Sequence, residues 1–123
     1  MRRALLLAAL VCVLSAHAQV EKINSFRTDL TVATDGQLTV TEEINIHAEG
    51  VEFKHGIVRR LPMHFTDHKG RSHRVKYQLG KVEVGGTSSP YHTETENGDF
   101  VLYVGEKDSY LEPGDHAYRI TYT

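Results

Sequence analysis

Past its first 18 residues this chain never places apolar residues at helical spacing for ten residues or more, whereas apolar and polar residues alternate again and again. A repeat of two puts every second side chain on one face of an extended strand, so the chain is confined to β-structure with one face of each sheet turned inward. Phe26, Thr28, Leu30 and Val32 form one such row, and Leu38, Val40, Ile44 and Ile46 form the next, with Asp35-Gly36 between them.

The register of this first hairpin follows from its two rows. A two-residue Asp-Gly turn would pair Thr34 with Gln37 and send the rows to opposite faces. A three-residue loop, Thr34-Asp35-Gly36 with Gly36 left-handed, pairs Ala33 with Gln37 and sets Val32 against Leu38, Leu30 against Val40 and Phe26 against Ile44. A one-residue slip moves a whole row to the wrong face, so the bulged loop is expected.

Further strands are expected at Met63 to Thr66 and His73 to Leu79, on either side of the turn-forming Asp67-His68-Lys69-Gly70. Val82 and Val84 continue strand character after Gly80, and Gly85 to Pro90 reads as a loop of small residues. Tyr91 to Thr95 and Phe100 to Val104 flank Asn97-Gly98, a strong hairpin signal, and Pro113-Gly114 turns the chain into a last strand. About seven or eight short strands in roughly 100 residues point to an antiparallel two-sheet β-sandwich. There is no Trp and no cysteine pair of the immunoglobulin kind. Tyr118, following its Pro-Gly turn, is either a tyrosine corner bonded back to the backbone or an ordinary core tyrosine.

The N-terminus has a different character. Arg2 and Arg3 precede the apolar run Ala4 to Leu14, and Ala16-His17-Ala18 ends it with small residues where a signal peptidase reads. This is the pattern of a secretory signal peptide over residues 1–18, too short in its apolar part to span a bilayer; an uncleaved anchor is the alternative. Residues 19–123 then form the exported domain, and the sole cysteine, Cys12, leaves with the leader. A domain of this size is stable through burial alone, without a disulfide.

Charge is divided along the exported part. Residues 19–53 carry −5, residues 54–81 carry +7 and residues 82–123 carry −6. The middle segment holds Lys54, Arg59, Arg60, Lys69, Arg71, Arg74, Lys76 and Lys81 against Asp67 alone, and its four histidines add charge as pH falls through about 6.5. Two readings stand. Either Arg59, Arg60, Arg71 and Arg74 offer a face to an anionic envelope partner, or the charges pair across the sheet with acidic strands. Export and a net acidic domain argue against nucleic acid.

Catalytic and metal patterns are weak. His64 and His68 flank a turn, with no cysteine or carboxylate pattern to complete a zinc site. Ser88 and Ser89 lack the glycine-flanked elbow of a hydrolase. The acids Asp99, Glu106, Asp108, Glu112 and Asp115 match no EF-hand spacing. No phosphate loop or dinucleotide fingerprint is present, so neither a cofactor nor an enzymatic activity is expected.

Four ordered blocks carry a family resemblance. They are Thr34-Asp35-Gly36-Gln37-Leu38-Thr39-Val40-Thr41-Glu42, His55-Gly56-Ile57-Val58-Arg59-Arg60-Leu61-Pro62, Val104-Gly105-Glu106-Lys107-Asp108, and Leu111-Glu112-Pro113-Gly114-Asp115-His116-Ala117-Tyr118 with Ile120 and Tyr122. Together these resemble the YciQ-like predicted membrane proteins, whose exported N-terminal part is a domain of unknown function, DUF2207. The chain departs from the family pattern at Val58 and Arg60, where an aromatic and an acid are usual. The resemblance implies an extracytoplasmic β domain followed by transmembrane helices, with no known activity, cofactor or catalytic residue.

Within these blocks Gly56 is expected where only glycine fits, and Pro62 at a strand edge or stop. The expected role is a non-enzymatic binding or scaffold module of the envelope, the N-terminal ectodomain of a membrane-anchored protein. Its partner would be an envelope protein or an anionic polymer or lipid surface, and its membrane attachment would lie in a segment outside this chain. The alternative is a soluble secreted binding protein or inhibitor complete at Thr123.

Overall fold

The computed structural model describes residues 20–123, so the leader expected over 1–18 and its cleavage site lie outside the described residues. Ten antiparallel strands follow one another: β1 (Lys22–Val32), β2 (Leu38–Ala48), β3 (Val58–Pro62), β4 (His64–Thr66), β5 (Ser72–Arg74), β6 (Leu79–Val84), β7 (Thr87–Ser88), β8 (Tyr91–Glu96), β9 (Asp99–Val104) and β10 (Gly114–Tyr122). They form a five-stranded sheet in the order β1-β2-β10-β6-β7, a three-stranded sheet β3-β9-β8 and a separate β4–β5 hairpin. The strands beyond those expected are β3, of which only the stop at Pro62 is read from the sequence, and the two-residue β7.

The first hairpin has the register that its apolar rows require. Val32 lies against Leu38, Leu30 against Val40 and Phe26 against Ile44. The Ala33 N–H donates to the Gln37 carbonyl at 2.8 Å, and Gly36 sits at φ 87°. The Asp35 carboxylate accepts from the Gln37 N–H at 3.0 Å and so braces the loop from inside. Asn97 (φ 50°) and Gly98 (φ 81°) close β8 onto β9 in a two-residue turn.

Two segments differ from the sequence expectation. The stretch 85–90 contains a second tight hairpin, since Gly85 and Gly86 both have positive φ and set Val84 against Thr87. Strand pairing also ends at Arg74, although the alternation continues through Val75, Tyr77 and Leu79. Over 75–78 the chain crosses from the small hairpin to the five-stranded sheet. Val75 donates to the Met63 carbonyl, the Tyr77 hydroxyl to that of Pro62, and Gln78 exchanges two bonds with Thr123. Half-burial keeps its period of two here because the backbone stays extended without a neighbouring strand.

The two larger sheets enclose one core. β2 supplies Val40, Ile44, Ile46 and Ala48, β10 supplies Tyr118, Ile120 and Tyr122, and the facing layer supplies Ile57, Leu61, Leu102 and Val104. Tyr118 is buried, and among the described residues its hydroxyl has no hydrogen bond back to the backbone, so it is a core tyrosine rather than a tyrosine corner. Pro62 ends β3 at the edge of the smaller sheet, where its missing N–H breaks no ladder.

Candidate interaction surface

The basic segment does not form one face. Arg59 lies between Ile57 and Leu61 in the inward row of β3 and crosses the sandwich to Glu42 of β2. Its Nε and Nη2 donate to the two carboxylate oxygens of Glu42, both at 2.7 Å, and the Tyr122 hydroxyl donates to Oε1 at 2.8 Å. Glu42 is 2% exposed. A fork-on-carboxylate pair with a third donor satisfies a buried charge far better than a single contact. Donation to the Glu42 carboxylate raises the Arg59 pKa, and burial followed by the same carboxylate pushes the Tyr122 hydroxyl strongly up. The Arg59 guanidinium also stands 5.5 Å from the centre of the Phe26 ring.

Arg60 points the other way and bonds Glu96 at 2.9 Å, with Asp99 at 3.7 Å. Glu96 is held below its usual pKa by the Tyr103 hydroxyl and then by Arg60. Arg71 lies on Asp67, as does His73, each at 2.8 Å. Asp67 also accepts the backbone N–H groups of Lys69 and Arg71; its pKa is lowered first by the His73 bond and then by these donors. Arg74 has no ion pair among the described residues. Of the four arginines singled out from the sequence, the fold therefore brings Arg71 and Arg74 together on the β4–β5 hairpin. It holds Arg59 inside the sandwich and turns Arg60 toward the β8–β9 turn.

The hairpin region holds Lys69, Arg71, Arg74 and Lys76 with a single acid, Asp67. Phe65 is 53% exposed on β4 and stacks on His73 at 5.0 Å between ring centres. The five acids considered for calcium are dispersed. Asp99 starts β9, Asp115 bonds His47 on β2, and the other three lie between β9 and β10.

Gly56 and Gly105, from two of the family-like blocks, cross backbone to backbone. A Cβ on Gly56 (φ 138°) would lie 1.8 Å from the Val104 carbonyl oxygen, and one on Gly105 (φ 113°) would lie 2.1 Å from that of His55. Both the backbone angle and the space require glycine. The crossing borders a cleft of about 470 Å³ lined by Lys54, His92, Glu94, Tyr103 and Lys107 among others, with His92 stacked flat on Tyr103 at 4.6 Å. Gly114, at φ 129°, opens β10 in open space.

Two buried polar residues were not singled out from the sequence. Glu42 had a signal, because it fills the gap in the inward row between Val40 and Ile44, and a charge in an apolar row needs a partner. His47 is 6% exposed and lies between Asp115 on Nδ1 at 2.7 Å and Glu49 on Nε2 at 2.5 Å. These bonds, Asp115 first, raise its pKa above 6.5.

The predicted membrane protein (DUF2207) N-terminal domain matches residues 22–123. The chain belongs to this family. It is similar to the uncharacterized protein YciQ of Escherichia coli (strain K12), 31% identical over 102 residues, which are 83% of this chain and 16% of that relative. The chain thus spans about a sixth of the curated relative it matches. No solved structure matches it. Within the family frame, all four motif blocks now have structural positions: the first hairpin, β3 with its glycine crossing, the β9 exit, and the entry into β10.

Proposed function

We propose that residues 19–123 are an extracytoplasmic, non-enzymatic binding module of a membrane-anchored protein, and that the β4–β5 hairpin is its contact for an anionic lipid surface. The leader pattern and membership of a predicted membrane protein family support the location. The distribution of the basic segment carries the contact. Arg59 and Arg60 are neutralised by Glu42, Glu96 and Asp99, whereas Lys69, Arg71, Arg74 and Lys76 project around one carboxylate beside an exposed aromatic ring. Basic residues attract a negatively charged bilayer surface, and an exposed phenyl ring gains by burial at the boundary between headgroups and acyl chains.

The test is sedimentation of the purified domain with vesicles of neutral lipid and of neutral lipid mixed with an anionic phospholipid. Binding is expected only to the anionic vesicles and should weaken with salt. At about 1 kcal/mol per basic residue, the paired substitution Arg74→Glu and Lys76→Glu should reduce partitioning by at least about 30-fold. Lys107→Glu, on a different loop, should leave it unchanged. Equal partitioning onto both vesicle types, or no response to the pair, would overturn the proposal.

A further inference from the structure

Three of the four edges of the larger sheets are protected against strand addition. β7 is two residues long, β3 ends in Pro62, and β8 carries Glu94 and Glu96. β1 is the exception. It is eleven residues long, contains no proline, and every residue of it is exposed. Its single irregularity lies near its start, between Ile23 and Ser25. Long, open edges of this kind are templates for another strand.

The geometry of this edge can be followed residue by residue. Ala33 bonds Gln37 across the loop, so the alternation of an antiparallel ladder directs the odd-numbered residues from Ser25 to Thr31 toward β2. The N–H and C=O groups of Phe26, Thr28, Leu30 and Val32 then face the open edge. The side chains of these same residues lie on the inward face, where the three-stranded sheet reaches only Phe26, through Arg59, and leaves the row largely open. Phe26 is 48% exposed, Leu30 63% and Val32 67%. On the outward face lie Arg27 and Asp29, which bond each other at 3.3 Å.

We infer that β1 docks on β1 of a second copy of this chain, antiparallel, with the two-fold axis at Thr28. This register exchanges backbone bonds between the two Thr28 residues and between Phe26 and Leu30 of opposite copies. It brings Phe26 of one copy beside Leu30 of the other on the apolar face. On the outward face it sets each Arg27 against Asp29 of the other copy. Moving the axis to Arg27 would oppose two arginines, and moving it to Asp29 would oppose two aspartates. Charge thus selects the one register that also pairs the two largest apolar side chains. The result is a continuous ten-stranded sheet through both copies.

The test is the mass of the purified protein in solution by sedimentation over a rising concentration series. A reversible dimer is expected. Arg27→Asp and Asp29→Arg should each weaken it at least about tenfold, because each puts like charges opposite one another twice. The double variant R27D/D29R restores opposite charges and should restore the dimer. In a Cys12→Ser background, Thr28→Cys should also form a disulfide-linked dimer on mild oxidation, since directly opposed residues of a bonded pair lie about 5.5 Å apart. Thr31→Cys, opposite Ser25 rather than itself, should not. A monomer at every concentration would overturn the inference, as would a double variant as weak as the singles.

Discussion

β1 and β2 are neighbours of equal length in the same sheet, paired along their length apart from one irregularity near Asn24, and both alternate apolar with polar side chains. Yet Ile44 and Ile46 are buried, while Phe26 and Ile23 opposite them are about half exposed. The difference lies in the second layer. β3 and β9 cover β2 and β10, and a three-stranded sheet is too narrow to cover a five-stranded one to its edge. The alternation therefore reports which way a side chain points and says nothing of what stands over it. The same contrast holds for charge. Glu42 and Thr28 are cross-strand partners, but only Glu42 lies beneath an arginine.

The sharpest break of this comparison should come at that pair. Glu42→Ala leaves Arg59 and the Tyr122 hydroxyl without their acceptor inside the sandwich, and a loss of about 4 kcal/mol in urea unfolding is expected. Thr28→Ala, directly opposite on the open strand, should stay within about 0.5 kcal/mol. Similar losses at both positions would mean that the inward face of β1, and not only its edge, is covered in solution.

A second pair tests packing without charge. Ile46 is wholly buried and Ile23 is its partner on β1, 56% exposed. Ile46→Ala should cost about 3 kcal/mol, and Ile23→Ala less than about 1 kcal/mol, by the same denaturant measurement.

The smallest effect concerns how β1 is fastened. Glu21, just before β1, accepts backbone N–H groups from Glu49, Val51, Glu52 and Phe53 in the loop after β2. Desolvation pushes its pKa up, but the four donors outweigh it and hold the carboxyl at about 2, against 4.5 in the unfolded chain. Its contribution is present above pH 4.5 and fades as pH falls from there toward 2. His47 behaves in the opposite sense. Its raised pKa stabilises the fold below pH 6.5, and this is lost as pH rises through the folded value. Relative to the intrinsic exchange rate at each pH, amide protection should therefore fall at Glu49, Val51, Glu52 and Phe53 on acidification. Glu21→Gln should lower it already at neutral pH, with the centre of β2 unaffected in both cases.

Much of the architecture could be read from residues alone. The Thr34-Asp35-Gly36 loop follows from the demand that two apolar rows share a face, and Asn97-Gly98 from its need for positive φ at both positions. The Gly85-Gly86 hairpin carried a signal of the same kind within a stretch read as a loop. The interruption at 75–78 carried none, since an extended crossing and a strand share one alternation.

What the sequence determined by itself was therefore local: strand character, the turns and the first register. These depend on backbone angles and on neighbours close along the chain. Only the tertiary structure decided which charges are spent internally and which remain outward, because Arg59 and Glu42 meet across two sheets, 17 residues apart. It alone decided that one of two equivalent apolar rows is core and the other an open ledge. Burial depends on how wide the facing layer is, and no property of a strand's own residues encodes that width.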